Sequence, residues 1–195
     1  MKRNKPKYKQ IIDAAVVVIA ENGYHQAQVS KIAKQAGVAD GTIYLYFKNK
    51  EDILISLFRE KMSIFIEKTE EVIAGKQTVS EKLYVMVENH CKLLSEDHHL
   101  AIVTQLELRQ SNKDIRFKIN DVLKGYLQLV DKILISGIEA GELPDDLEVR
   151  LARQMIFGTL DEVVTTWVMN DQKYDIVAQV PAIHKLLLHG CGGRN

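Results

Sequence analysis

Gly41, Thr42, Tyr44, Tyr46, Lys48 and Lys50 crowd into one short stretch, GVADGTIYLYFKNKEDIL, residues 37–54. They offer a hydroxyl, two phenols and two ammonium groups, beside a glycine that leaves its backbone open. Hydroxyl and ammonium donors suit phosphate oxygens, and the methyl of a threonine suits the methyl of thymine. The charge distribution agrees with such a partner. The formal net charge of the chain is zero, yet residues 1–50 hold nine Lys and Arg against three Asp and Glu. The remaining residues carry the matching acidic excess, 17 basic against 23 acidic. A basic N-terminal module on an acidic body points to a polyanion as partner of the first fifty residues.

These groups need short, tightly joined helices to present them. Residues 7–22 place Ile11, Ile12, Ala15, Val16 and Ile19 at helical spacing and stop at Asn22-Gly23. A shorter helix over Val29–Ala36 is expected to end on Gly37 in the left-handed conformation, and another over Asp40–Tyr46 to be capped by Asp40. Val38, Ile32, Ile43 and Phe47 should pack inward. Gly41 then lets the backbone approach a phosphate or base edge. Two short helices around a tight turn, the second presented to a major groove, make a helix-turn-helix. Asn49, with an acid three residues on, predicts the start of a long helix reaching Ile73. Lys50 is expected at that start with its charge free for phosphates.

The rest also reads as helix, over 79–95, 98–110, 113–140, 146–170 and 174–189, with weak breaks at Asp97-His98, Ser111-Asn112 and Gly141 with Pro144. The expected fold class is all-α, with a three-helix head over 1–49 and a larger helical domain over 50–195. The longest apolar runs fall short of a membrane span. The start, MKRNKPKYK, lacks the apolar core and cleavage site of a signal peptide. Cys91 and Cys191 make neither a disulfide framework nor a metal pattern. A cytoplasmic protein is expected.

The stretch VSKIAKQAGVADGTIYLYFKNKEDIL resembles the DNA-binding signature of the TetR family of bacterial repressors, whose heads end in a Gly-Thr-aromatic-aromatic-Phe-Lys-x-Lys-Glu run. The resemblance implies an all-helical homodimer with an N-terminal head for double-stranded operator DNA and a C-terminal body for an effector. Carried to matching positions, it makes Ser30, Gly41, Thr42, Tyr44, Tyr46 and Lys50 the DNA contacts, with Lys31 and Lys48 as weaker candidates. In the body, LAIVTQLELRQSN and RLARQMIFGTLDEVVTTWVMNDQKYDIVA are similar to the fatty-acid degradation regulators of that family. This similarity implies repression of β-oxidation genes, relieved by long-chain acyl-coenzyme A, with no catalysis, no metal and no resident cofactor.

For that effector, burial of an acyl tail supplies about 0.8 kcal/mol per methylene. The coenzyme phosphates call for guanidinium or ammonium groups. Arg109 is the first candidate, followed by Lys113, Arg116 and Arg153. Gln105, Leu106, Phe157, Leu160 and Trp167 are further candidates for contact with the ligand. Gly158, inside a helix, implies close packing, room for a ligand, or a tight dimer interface. Glu107 with Arg109, and Asp161 with Arg153, are equally well read as structural ion pairs.

Two enzymatic readings compete. Glu96-x-x-His99 has the spacing of a di-iron bundle ligand pair, but a second such pair is missing from the sequence. His90 beside Cys91 could suggest a nucleophile and base, although adjacent helical residues point in different directions. Within the regulator class the competing effector is a drug-like molecule, as for a repressor of a multidrug efflux pump, or a ligand of another lipid pathway.

Overall fold

The computed structural model describes residues 6–190, and every described element is helical: α1 (Pro6–Gln26), α2 (Val29–Gln35), α3 (Asp40–Ile43), α4 (Lys50–Ala74), α5 (Val79–Glu96), α6 (His98–Leu106), α7 (Lys113–Glu139), α8 (Val149–Met169) and α9 (Val180–His189), with a 3-10 turn at Val177–Gln179. The expectations for Lys2, Arg3, Lys5 and Cys191 lie outside the described residues.

Packing divides the chain into two units. Among the described residues, one comprises 6–62 together with His98–Val122; the other comprises Ser63–Asp97 together with 123–190. The division expected at Lys50 follows sequence order, whereas the packing returns α6 and the first turns of α7 to the N-terminal helices. The reason is apolar. Val103, Ile115 and Ile119 join one buried cluster with Ile11, Ala15, Ile19, Ile32, Ile43, Phe47 and Leu54. Each fully buried aliphatic chain of this kind contributes about 1.5–3 kcal/mol relative to exposure.

Local chemistry sets the turns of the first unit. Gly37 has φ +62°, the Val38 N–H donates to the Ala33 carbonyl at 3.0 Å, and the Gly37 N–H donates to Lys34 at 3.1 Å. That is the left-handed glycine ending expected of α2. Asn49 Oδ1 accepts the Asp52 N–H at 2.8 Å, and Asp52 returns to accept the Lys48 N–H at 2.9 Å, which starts α4. The helix expected over Asp40–Tyr46 is shorter, α3 giving way to turns after Ile43. Asp40 does not cap it. Ala39 takes the extended N-cap conformation, and Asp40 is the first helical residue, where its charge complements the helix dipole.

α1 is broken at Gly23, whose φ of +71° and ψ of 154° interrupt the helix before a last turn, Tyr24–Gln26. The Ala27 N–H closes that turn on the Gly23 carbonyl at 3.0 Å. α6 ends at Leu106 rather than at residue 110, because the side chains of Glu107 and Gln110 take over the hydrogen bonding there.

In the second unit, Thr78 and Glu81 form a reciprocal capping box that starts α5. The backbone N–H groups of Thr78 and Gln77 hold the Glu81 carboxyl below its ordinary pKa. The helix expected from 146 begins at Val149, and the one expected from 174 separates into the 3-10 turn and α9.

Candidate nucleic-acid interface and effector residues

A cleft of about 640 Å³ opens on the first unit and draws together Ser30 from α2, Tyr44 from the end of α3 and Lys50 from the start of α4, with Gln28, Asp40 and Asn49 beside them. Three of the six proposed DNA contacts therefore meet at one concave surface. The Tyr44 side chain is 59% exposed, because Ile43 on the opposite side of the turn is fully buried. Gly41 is exposed, and a methyl group there would meet nothing within 4 Å, so the backbone is open to approach. Thr42 is half-buried beside it.

Tyr46 and Lys50 sit differently from expectation. Tyr46 is half-buried and packs against the core, its ring 6.4 Å from that of Phe47. Only part of that side chain is available to a partner. Lys50 is not free: its ammonium donates to the carbonyls of Tyr24 and His25, each at 2.9 Å, and lies 4.7 Å from the Tyr24 ring centre. The two carbonyls that end α1 attract the cation more closely than its place at the start of α4 would suggest. An ammonium has three donors, so one remains for a phosphate. Lys31 is exposed, with its ammonium on Asn22 Oδ1 at 2.9 Å, and Lys48 is exposed.

The effector candidates fall on both units. Gln105, Leu106 and Arg109 belong to the first: Gln105 is buried, whereas Leu106 and Arg109 are exposed. Arg116 donates to the carbonyls of Gln110 and Ser111 at 3.3 and 3.2 Å, bracing the turn before α7. The Lys113 ammonium lies 5.6 Å from the Phe117 ring. Arg153, Phe157, Leu160 and Trp167 belong to the second unit. Arg153 forms an ion pair with Asp131 at 2.6 Å. Leu160 and Trp167 are buried, and the Trp167 indole N–H donates to the Tyr174 carbonyl at 2.8 Å.

Phe157 touches an aromatic cluster that the sequence did not announce. Its ring lies 6.2 Å from Tyr126, which in turn packs with Phe65 and His90. His90 Nδ1 and the Tyr126 hydroxyl are 3.1 Å apart. A signal for burial existed: His90 shares the helical spacing of Leu83, Met86, Val87, Cys91 and Leu94. Burial pushes the His90 pKa down to about 4 and that of Cys91 up to about 12. A neutral imidazole and a protonated thiol, both enclosed, offer no nucleophile at neutral pH. Among the described residues no group of three or more His, Cys, Asp or Glu is placed to hold a metal. The same unit carries a groove of about 330 Å³, with Leu129 and Ile133 in its floor and Lys82, Lys132 and Ser136 around it.

No helix among the described residues is long and apolar enough to cross a membrane. Residues 11–57 match the family described as bacterial regulatory proteins, tetR family, and residues 58–190 match the YsiA-like protein, C-terminal region. The chain is 69% identical over 190 residues to the fatty acid metabolism regulator protein of Bacillus subtilis, covering 97% of this chain and 98% of that protein. The crystal structure of the transcriptional regulator FadR from Bacillus subtilis in complex with stearoyl-CoA superposes with a TM-score of 0.92 at 69% identity, over 94% of this chain and 98% of that one. The fatty acid degradation regulator FadR from Bacillus halodurans gives a TM-score of 0.95 at 64% identity, over 98% and 99% of the two chains. The relatives are regulators rather than enzymes, and the helix-turn-helix signature, the all-helical architecture and these near full-length identities agree: the chain belongs to the TetR family of bacterial regulatory proteins.

Proposed function

We propose that this chain is a cytoplasmic repressor of fatty-acid degradation genes, which binds operator DNA as a homodimer and is released by long-chain acyl-coenzyme A. The observation that carries the reading is the 69% identity, over almost the whole chain, to a fatty acid metabolism regulator whose FadR structure holds stearoyl-CoA. Residues 1–49 form the DNA-binding head and 50–195 the effector and dimerisation domain. Ser30, Gly41, Thr42, Tyr44, Tyr46 and Lys50 contact DNA. Gln105, Leu106, Arg109, Arg153, Phe157, Leu160 and Trp167 serve the effector, with Arg109 on its phosphates.

The exposed side of α8 supports the homodimer. Leu151, Met155 and Gly158 follow one another at helical spacing on solvent, with Met155 50% exposed, and Met169 lies three turns further along the same side, beyond the exposed Glu162 and Thr166. A methyl group on Gly158 would meet nothing within 4 Å, so its place in the helix is not explained by packing within the protomer. Such an apolar face fits a second copy of the chain. Replacing Met155 by glutamate is expected to shift the protein from dimer to monomer in sedimentation equilibrium; a dimer unaltered by this change overturns the assignment of that face. A dimer must place its two heads about 34–36 Å apart to enter successive major grooves, and an effector releases DNA by favouring a conformer with another spacing.

The test is a gel-shift titration on DNA from the promoters of β-oxidation genes. Stearoyl-CoA should weaken binding by about 5- to 150-fold, the span of ordinary allosteric coupling. Unchanged affinity refutes the acyl-coenzyme A reading, and release by a cationic drug-like compound in its place supports an efflux-pump repressor. For the head, Thr42→Ala together with Tyr44→Phe removes two hydroxyls and leaves the core untouched. Operator affinity is expected to fall at least about tenfold, with the thermal midpoint unchanged, since each contact of this kind contributes roughly 1 kcal/mol. Full affinity in that variant overturns these two contacts.

A further inference from the structure

Tyr24 is held through both of its backbone polar groups. Its N–H donates to Glu107 Oε1 at 2.8 Å, and its carbonyl accepts from Lys50 Nζ at 2.9 Å. The N–H is available because α1 breaks at Gly23, so the donor that an unbroken helix would use internally is left to find another partner. The partner comes from 83 residues along the chain. The second oxygen of the same carboxylate accepts the Gln110 amide at 2.8 Å, and Gln110 is itself buried. A carboxylate on a backbone N–H makes a hydrogen bond roughly twice as strong as one between neutral groups. Burial, and the nearby charges of Glu51 and Glu107, raise the pKa of the Tyr24 phenol, so the ring stays neutral beneath the Lys50 ammonium.

Each end of this chain of bonds has a use. Lys50 opens α4, and Val29 opens α2 five residues beyond Tyr24; Ser30 and Lys50 both line the cleft proposed to meet DNA. At the other end, Leu106 and Arg109, assigned above to the effector, flank Glu107 in sequence. We infer that Glu107 is a positioning residue that couples the α6–α7 segment to the DNA-reading helices through the N–H of Tyr24. The inference rests on the repressor reading above. A shift of α6–α7 has two outcomes for this bond. Either it drags the last turn of α1, or it breaks and leaves that turn unpaired. Both change what α2 and α4 present to the duplex.

The test uses the full-length protein, with operator affinity measured by fluorescence anisotropy in the absence and presence of stearoyl-CoA. Glu107→Ala is expected to remain helical, to bind operator at least about fivefold more weakly without ligand, and to lose most of the ligand-dependent change. A swapped pair, Glu107→Gln with Gln110→Glu, keeps an acceptor for Tyr24 and a donor–acceptor bond between the two side chains, and gives up only the bond from the Gln110 amide to the Glu107 carbonyl. It should restore both quantities. A cap that only stabilises the fold would lower the thermal midpoint and leave the ratio of affinities with and without ligand as it was. That outcome overturns the inference, as does a folded swap variant that fails to recover. If the unsubstituted protein ignores stearoyl-CoA, the effector reading fails instead. The role of Glu107 is then decided by the ligand-free affinities and by hydrogen exchange of the Tyr24 amide, which should quicken in Glu107→Ala and slow again in the swapped pair.

Discussion

Phe47→Ala is expected to lower stability by about 3–5 kcal/mol and to abolish operator binding. The ring is 2% exposed and stacks on Tyr8 with centroids 5.1 Å apart and planes 23° from parallel. It therefore joins the first turn of α1 to the segment that follows α3, and its N–H closes the turn on the Ile43 carbonyl at 3.0 Å. Alanine would empty a space the size of a benzene ring between Tyr8 and Tyr46, which close-packed neighbours refill only in part. A loss of this size is a large share of the roughly 5–15 kcal/mol that holds a domain folded. Urea unfolding with far-UV dichroism measures the first effect, and anisotropy on labelled operator the second. Phe47→Leu should recover most of both. A midpoint within experimental error of the unsubstituted protein would show that the stack contributes nothing.

The second large effect concerns pH. His90 is enclosed by Phe65 and Tyr126, and burial holds its folded-state pKa at about 4 against 6.5 in the unfolded chain. Above pH 6.5 the imidazole is neutral in both states and the full stability is present. Below that pH the unfolded chain takes up a proton that the folded one refuses, so stability falls as pH drops towards 4. The linked loss across this window is about 3 kcal/mol. The titratable neighbours do not mask it, since Tyr126 and Cys91 are both raised by burial and stay neutral throughout. Carboxylates add their own slope at the acid end, so the measurement is a difference. His90→Gln, which still offers the Tyr126 hydroxyl a hydrogen-bond partner, should flatten the pH dependence of the unfolding free energy between 6.5 and 4. Identical slopes in the two proteins would refute the assignment.

What could be read in the sequence was local. The end of α2 at Gly37 and the start of α4 at Asn49 depend on bonds spanning five residues or fewer, and the residue types alone announce them. The inward positions of Ile32, Ile43 and Phe47 followed from spacing. What escaped was long-range. Nothing near Lys50 tells that its ammonium is taken by carbonyls about 25 residues back, nor does anything near Glu107 name Tyr24. The end of α6 escapes for a local reason: Glu107 and Gln110 bond through the Gln110 side chain where a further helical turn would bond through the backbone, and residue types alone do not tell the two apart. In the body, periodicity tells which side of a helix is buried without telling what it meets. Thus sequence spacing offers Asp161 to Arg153, and the structure gives it Asp131 at 2.6 Å. His90, which adjacency offers as half of a nucleophile pair with Cys91, lies instead among aromatic rings.

Trp167 is the single tryptophan of the chain, and it lies in the second packing unit with its indole fixed to the Tyr174 carbonyl. Its fluorescence is accordingly a lamp in one room only. Emission should be blue-shifted while that unit is closed and move to the red when water reaches the indole, whatever happens to the N-terminal helices. Far-UV ellipticity, which sums over all helices, need not follow the same curve. Coincidence of the two melts would mark one cooperative transition, and a separation would give the order in which the units let go.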